Sequence, residues 1–556
     1  MHPPEPSEPE SAPNEEPFRP APDTDVAVEV AQEPGPEGDA EAGRLGRSTA
    51  FFSIATGLSR VAGLIREIVA AGYFGVSGVM SAFTIAFMVP NLVRSLFADA
   101  ALQGAFVPIF TEQLEKGNRA EAFRLASTLI FGAILVLGLL TGLFILLAPV
   151  IMPLFGPGLS GTNEDLMVGL SQVLFPILVM LGVSGVVVGI LNSFNRFSVF
   201  AIAPFFWNVV IILVLVGLAP AFPEGDEIYA YAIGVVAGTA VQLAMVAYDL
   251  RNTPFKLWWV FDWNSALLKR VLLLMLPVTI SLGLINFNLA INAIFGSLVS
   301  QDATAAIDKA FRIYMLPQGI FSVAVATVIF PTLSRFAARR AYDDLRATMA
   351  NGMRMILLVL MPAAAAILVL SEPMTQLVYQ RGEFSAADTD LTAEALFWFA
   401  FSLPFNGLFL LLTRTFFSLQ RPWVPTWIAG LNLALTAGFS AAFYGPFGVG
   451  GIVAATAIAT AVSVLAQAWI LRDQLGGLEL PSLIDGALRI TLGSAVLAGV
   501  SYLVWKLLDD VFGDSTLAQI ISVGGGLAAG GGAFLAVVLA LRVPEARQLL
   551  GVVRRR

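Results

Sequence analysis

Eight charged residues stand out because of the company they keep. Arg60, Arg66, Arg94, Lys309 and Arg312, with Glu67, Asp99 and Asp308, lie inside stretches apolar enough to sit in a bilayer. A charge at the centre of a membrane helix costs about 2.5–3.5 kcal/mol on insertion scales, so such groups face a watery or protein-lined interior. Five cations face three acids, and a positive surplus in a low dielectric needs an anion, bulk water or both. The planar fork of arginine meets phosphate oxygens bidentately, which lysine cannot match, so an anion of two or more charges such as a pyrophosphate suits the set. A second reading is that Arg60, Arg66 and Glu67 form structural ion pairs that lock their own helix. Binding is the chemistry on offer in either case. The chain has no Cys and only His2, which leaves no thiol nucleophile, no Ser/His/Asp arrangement and no Cys/His metal site. No Walker-type glycine-rich loop is present to hold a nucleotide.

The elements that carry these charges read as membrane helices. Hydrophobic residues make up 57% of the 556 positions and charged ones 13%, where soluble domains have about 45–50% and 25%. Residues 1–47, rich in Pro, Glu and Ala, hold twelve Asp/Glu and three Arg, so the remainder of the chain sums to +1. That composition reads as a disordered acidic tail, and nothing in the near-neutral remainder suggests nucleic acid. Fourteen apolar runs of roughly 20 residues or more follow, from 48–74 to 484–507 and 517–541, each able to span about 30 Å of hydrocarbon. Pro90 and Pro317 lie inside such runs and are expected to mark kinks.

The connections alternate in charge. After odd-numbered helices only Arg381 is basic, with Lys506 at the end of helix 13; after even-numbered ones lie groups such as Lys116, Arg119 and Arg124, or Arg335, Arg339 and Arg340. The positive-inside rule then puts both termini in the cytoplasm of a multi-pass protein. Arg354 and Arg414, near cytoplasmic helix ends, are expected to snorkel to the interface.

An internal repeat runs through the chain at an offset of about 224 residues. Ala86-Phe87 answers Ala310-Phe311, Phe106-Val107-Pro108 answers Ile329-Phe330-Pro331, Pro149 answers Pro373, and Asn208 answers Asn432. The unit holds six helices, so the copies are parallel, related by an axis along the membrane normal, with the substrate site between them. The expected fold is therefore an all-α polytopic membrane protein of 14 transmembrane helices: two parallel six-helix repeats forming two lobes, at 48–260 and 261–475, plus two extra C-terminal helices in 476–556. Helices 2 and 8 are equivalents in this scheme, so their charges should face each other. Ser59, Glu67, Asp99, Asp308 and Lys309 are expected to support the cavity around Arg60, Arg66, Arg94 and Arg312.

Other polar residues have plainer uses. Asn286, Asn288 and Asn292 in helix 7 and Asn432 in helix 11 either ligate an ion or hydrogen-bond between helices, the commoner role. The aromatic run LWWVFDW at 257–263 reads as an interfacial belt on an amphipathic connector.

The segments SRVAGLIRE (59–67), FMVPNLVRSLFADAALQGAFVPIF (87–110), ILNSFNRF (190–197) and FRIYMLPQGIFSVAVATVIFPTLS (311–334) strongly resemble the MurJ/MviN family of lipid II flippases, in the multidrug/oligosaccharidyl-lipid/polysaccharide exporter superfamily. The likeness covers roughly residues 48 to 541. It implies a V-shaped pair of lobes around a cationic cavity, essential arginines at Arg60, Arg66, Arg94 and Arg312, acids at Glu67 and Asp99, and a groove for the polyprenyl tail on 484–507 and 517–541. It implies lipid II as substrate, membrane lipids and cell-wall synthesis machinery as partners, a bacterial inner membrane, and transport without enzyme chemistry or cofactor. Two departures bear on energy coupling: Ser81 stands where some members carry Asp, and helix 7 has no acid between Val271 and Val299. Membrane potential or a monovalent cation such as the proton is the expected driver. The alternatives are a flippase for another polyprenyl-pyrophosphate-linked glycan and a non-transporting scaffold for cell-wall enzymes.

Overall fold

In lipid a chain must satisfy its own backbone, which helices do within one segment, and this chain is helical along nearly its whole described length. A computed structural model describes residues 36–97, 100–513 and 515–547, with side chains from 55 onward except 94–104 and a few positions near 277–285 and 320–324. Met1–Phe51 and Phe52–Arg556 form separate units. In the first, the described residues are the start of α1 (Pro36–Phe74). Of the acidic tail expected over residues 1–47, residues 1–35 lie outside the described residues, while 36–47, expected to be disordered, are helical as the start of α1.

The second unit continues with α2 (Gly78–Phe97) and α3 (Ala100–Glu115), then α4 (Arg119–Phe155), α5 (Thr162–Leu174), α6 (Ile177–Ser193), α7 (Ser198–Leu218) and α8 (Ile228–Asp249). Its later part holds α9 (Ala266–Val299), α10 (Ala303–Pro317), α11 (Val323–Ala338), α12 (Tyr342–Tyr379), α13 (Ala386–Ser418), α14 (Trp423–Leu475), α15 (Leu480–Phe512) and α16 (Thr516–Ala540). Each of the fourteen expected apolar runs falls on helical backbone. Nine helices among the described residues are long and apolar enough to cross a membrane by length and composition. The runs carrying α1, α2 with α3, α9, and α10 with α11 fall outside that set, and α1 and α10 among them hold the buried Arg66, Glu67 and Lys309.

Breaks in the helices have local causes. Pro317 lacks an N–H and its ring crowds the preceding turn, and a single π-helical turn, Gln318–Ser322, follows it between α10 and α11. The expected kink at Pro317 is there; Pro90 sits inside a continuous α2. In α14, Gly448 has φ +54°, and the helix is broken at that residue. Asn432 Nδ2 donates to Ser463 Oγ at 3.1 Å, joining residues about equally far before and after Gly448. The two parts are thus an antiparallel pair.

The run at 253–265, expected as an amphipathic connector, is a non-helical strap. Its backbone is held by α4, with Trp258 N donating to Ser127 Oγ at 3.0 Å and Asp262 N to Thr128 Oγ1 at 3.3 Å. Trp259 stacks on Phe131 with centroids 4.7 Å apart. Arg354 also departs from expectation. It does not snorkel; it pairs with the buried Glu545 and donates to Ser482 Oγ at 2.7 Å. The acid just past α16 reaches it first.

Bonds between connections respect the alternation of sides. Odd joins odd, as in Asn163 Nδ2 to Gln301 Oε1 at 3.1 Å. Even joins even, as in Arg196 Nη2 to Asp249 Oδ1 at 2.8 Å. On the odd side two seams close. Glu383 N donates to Gly72 O at 2.9 Å, where Gly382, at φ +61°, lies so close that a Cβ would overlap that oxygen. Gly158 N donates to Ser297 Oγ at 3.1 Å, and a Cβ on Gly158 would overlap the Ser297 carbonyl. Gly158 and Gly382 are separated by the repeat offset, 224 residues. So are Ser81 and Ala305, which touch: Ala305 N donates to Ser81 Oγ at 3.1 Å. Ser81 and Ala305, which the sequence offset pairs, thus meet directly between α2 and α10.

Asp388 caps α13 by accepting from Ser385 N at 2.9 Å and ties the first seam by accepting from Val76 N at 3.3 Å. Beside it, burial and the neighbouring Asp388 raise the pKa of Asp302 above the usual carboxylate range. An acid whose pKa is raised in the closed form binds its proton more tightly there, so closure is favoured on the acid side and weakens as pH rises through that raised value. A cysteine placed at Ala306 in this Cys-free chain should label more slowly with an impermeant maleimide as external pH falls. Asp302→Asn should flatten that dependence.

Candidate functional site

The charged centre forms where α1 meets α10. Residues seven apart on a helix share a face, and Arg60 and Glu67 turn together towards the second half. Glu67 Oε2 accepts from Lys309 Nζ at 2.8 Å, and its Oε1 lies 3.8 Å from Arg312 Nε. Arg66 Nη2 donates to the same Oε1. Arg312 also pairs with Asp308 one turn back, at 3.2 Å. Arg60 is exposed and lies over the π-helical turn, where a Cβ on Gly319 would be 3.6 Å from its Nη1.

Burial grades these groups. The Lys309 side chain is 0% exposed and that of Glu67 6%, against 36% for Arg312. Lys309 also has the Tyr379 ring 5.8 Å away, and Tyr379 Oη donates to its carbonyl at 3.3 Å. A lysine so placed stays charged only with a partner, and Glu67 is that partner.

The other face of α1 rests on α7. Ser59 O accepts from Asn208 Nδ2 at 3.5 Å, and Gly63 faces the same amide, 3.8 Å from where its Cβ would be. The Arg66 guanidinium carbon stands 4.7 Å from the centroid of Trp207. This part of α1 is therefore divided: Ser59, Gly63 and Arg66 face α7, while Arg60 and Glu67 face α10 and its following turn.

The structure thus brings Arg66, Glu67, Asp308, Lys309 and Arg312 into one network with Arg60 nearby. Arg66 and Lys309 are buried in ion pairs with Glu67, while Arg60 is exposed and Arg312 half-buried. The charges that meet are those of α1 and α10, across the two halves. The Arg94 side chain and Asp99 lie outside the described residues. Among the described groups, four cations share two acids, a surplus of two.

The asparagines form a separate chain of bonds between helices. Asn288 Nδ2 donates to Asn432 Oδ1 at 2.7 Å, and Thr456 Oγ1 donates to Asn292 Oδ1 at 3.2 Å. Asn288 Oδ1 is buried without a donor, and Asn286 is half-buried on the same helix. No group of three or more His, Cys, Asp or Glu able to hold a metal occurs among the described residues.

Sequence reasoning missed Trp207, an aromatic in an apolar helix with nothing to distinguish it from lipid-facing neighbours. It also missed Gly158 and Gly382, which the repeat offset pairs and which only their partners make significant.

Known proteins place this geometry. The family model described as lipid II flippase MurJ matches residues 70–522. A probable lipid II flippase MurJ from Rhizobium meliloti (strain 1021) is 32% identical over 453 residues, covering 80% of this chain and 84% of the relative. Its counterpart from Synechocystis sp. is 28% identical over 511 residues, 86% of this chain and 93% of that protein. Among solved structures, a lipid II flippase MurJ in an inward closed conformation superposes with a TM-score of 0.74 at 25% identity, over 88% of this chain and 99% of that one. An inward-facing multidrug MATE transporter of the MOP superfamily shares the fold, with a TM-score of 0.63 at 14% identity over 75% of this chain and 94% of its own. With a charged centre spanning the two halves and relatives matched over most of their length, the chain belongs to the lipid II flippase MurJ family.

Proposed function

We propose that this chain carries lipid II from the cytoplasmic to the outer leaflet of a bacterial inner membrane, for cell-wall synthesis, by alternating access between two six-helix lobes. The observation that carries the reading is the positive surplus at the α1–α10 junction, shared between the halves. Arg60 and Arg312 are the accessible members, and Arg66 and Arg94 complete the clamp on the pyrophosphate. Glu67, Asp308 and Lys309 hold these cations in place when no ligand is bound. No bond is made or broken; the substrate is moved, not altered.

An anion bridging the lobes neutralises the surplus. A ligand moves such an equilibrium only by binding one state better than the other, and neutralisation is the differential term here. The lobes rock about the axis that relates them, while the polyprenyl tail stays in lipid along α15 and α16. The net-positive centre lets a transmembrane potential act on it, at about 2.3 kcal/mol per charge per 100 mV. A monovalent cation at Asn288, Asn292 and Asn432 is the other source of energy, supported by the unmatched acceptor on Asn288. All fourteen runs cross the bilayer in this reading, with both termini cytoplasmic.

The test is outer-leaflet exposure of lipid II in cells depleted of their own flippase. The wild-type chain should restore it, and Arg60→Ala or Arg312→Ala should lower the rate by about 10–100-fold, the loss of a charge-assisted pair of roughly 1.5–3 kcal/mol. Full activity in both variants defeats the clamp. Failure of well-expressed wild type points to another polyprenyl-pyrophosphate-linked glycan.

A further inference from the structure

Arg66 differs from the other arginines of the site in what holds it. It is 7% exposed, its Nη2 is engaged by Glu67, and one face of its guanidinium lies over Trp207 at 4.7 Å. Its Nε is buried without an acceptor. A guanidinium offers five donors in one plane, so whatever fixes that plane decides which donors remain for an incoming oxygen. Glu67 cannot fix it alone. That carboxylate also serves Lys309 and Arg312 on α10, in the other half of the molecule, and a single contact leaves the plane free to turn about it.

Trp207 is itself held from behind. Its Nε1–H donates to Thr239 Oγ1 at 3.1 Å, and that hydroxyl donates to Val235 O at 2.7 Å, both on α8. Gly238 makes the seat possible: a Cβ there would come within 2.9 Å of Trp207 O and 3.1 Å of its Cδ1. The indole therefore cannot slide along α7, and its ring cannot turn without losing a buried hydrogen bond. A chain of contacts runs from Thr239 through Trp207 to Arg66 and Glu67, and on to Lys309. Its first four members belong to the first half and its last to the second.

We propose that Trp207 is a positioning residue: it sets the plane of the Arg66 guanidinium so that its unengaged donors meet the substrate's anionic group, without touching substrate itself. This rests on the clamp reading of Arg66 given above. The indole face supplies attraction that survives when Glu67 shifts towards Lys309, so Arg66 keeps its orientation as the two halves move.

The experiment measures lipid II affinity of the full-length protein in nanodiscs, with thermal unfolding followed in parallel. Trp207→Ala should weaken binding about tenfold, the scale of a desolvated cation–π contact, and Trp207→Phe should restore most of it. Thr239→Val, which frees the indole N–H but keeps the ring, should cost about threefold. The decisive arm is the double variant. In an Arg66→Ala background Trp207→Ala should cost nothing further, because the indole acts through that arginine. Losses that add, or a folded Trp207→Ala protein that binds as wild type does, overturn the proposal. Should Trp207→Ala fail to fold, Trp207→Phe and Thr239→Val carry the same test in both backgrounds. Unchanged affinity in Arg66→Ala alone overturns the clamp reading of Arg66, and the role of Trp207 with it, and that failure is seen in the single variant.

Discussion

Alanine at Gly158 or Gly382 is expected to hold the outer seam open. At each position the new methyl group would overlap a carbonyl oxygen of the facing half, Ser297 O or Gly72 O, and a main-chain atom cannot rotate away as a side chain does. Overpacking of this kind costs about 1–3 kcal/mol, and Gly382 adds the strain of a side chain at φ +61°, about 1 kcal/mol. If the seam is the closed outer gate, each variant should raise labelling of a cysteine at Ala306 by about 10–100-fold, since 1.4 kcal/mol is tenfold in a population. Gly161 provides the control. It lies in the same loop as Gly158 at φ +58°, with nothing within 4 Å of a would-be Cβ, so Gly161→Ala strains the backbone but leaves the seam shut. Equal labelling in all three variants would remove the seam from the transport cycle. The symmetric placement makes a stronger demand. Because Gly158 and Gly382 each complete one of the two seams on that side, the double variant should open both seams and abolish transport, while each single variant leaves one seam intact.

Glu67→Gln is the second large effect. One carboxylate answers Arg66, Lys309 and Arg312, and Lys309 has no exposed surface at all. Removing one member of a buried pair leaves its partner charged and unsolvated, which costs about 3–5 kcal/mol. The variant should melt markedly lower in detergent and accumulate poorly in the membrane. Lys309→Met in the same chain should recover most of that stability, because the orphaned charge is gone and the thioether fits an apolar site. Lys309→Met alone should be tolerated better than Glu67→Gln, since Glu67 keeps two arginines. Should Glu67→Gln prove as stable as wild type, the network is not what ties α1 to α10.

Asp302 belongs to the same account from the outer side. Its raised pKa makes closure a proton-favoured state, and the seam it adjoins is the one that Gly382 completes.

Much of this molecule could be read from residue order alone, for physical reasons that are local. Apolar runs of membrane length must be helical, because lipid offers a backbone nothing to bond to. The alternation of basic connections ordered the runs. Pro317 announced a broken helix, since a missing N–H acts wherever the chain goes. The repeat offset paired Phe106-Val107-Pro108 with Ile329-Phe330-Pro331 and Asn208 with Asn432, but it did not single out Gly158 and Gly382. Burial cost singled out Arg60, Arg66, Arg94, Lys309 and Arg312 as a set.

What the tertiary structure alone decided is which of those charges are spent. A sequence shows that Glu67 has cations within reach but not how many it serves, because Lys309 and Arg312 are more than two hundred residues away along the chain. The division of α1 into one face towards Trp207 and another towards α10 depends on where α7 and α10 dock. The asparagines show the same limit. Side-chain amides bond as readily to an ion as to one another, and only the antiparallel fold of α14 at Gly448 brought Asn432 to both Asn288 and Ser463. Spacing determines which groups share a helix face; the packing of helices distant in sequence determines what that face meets.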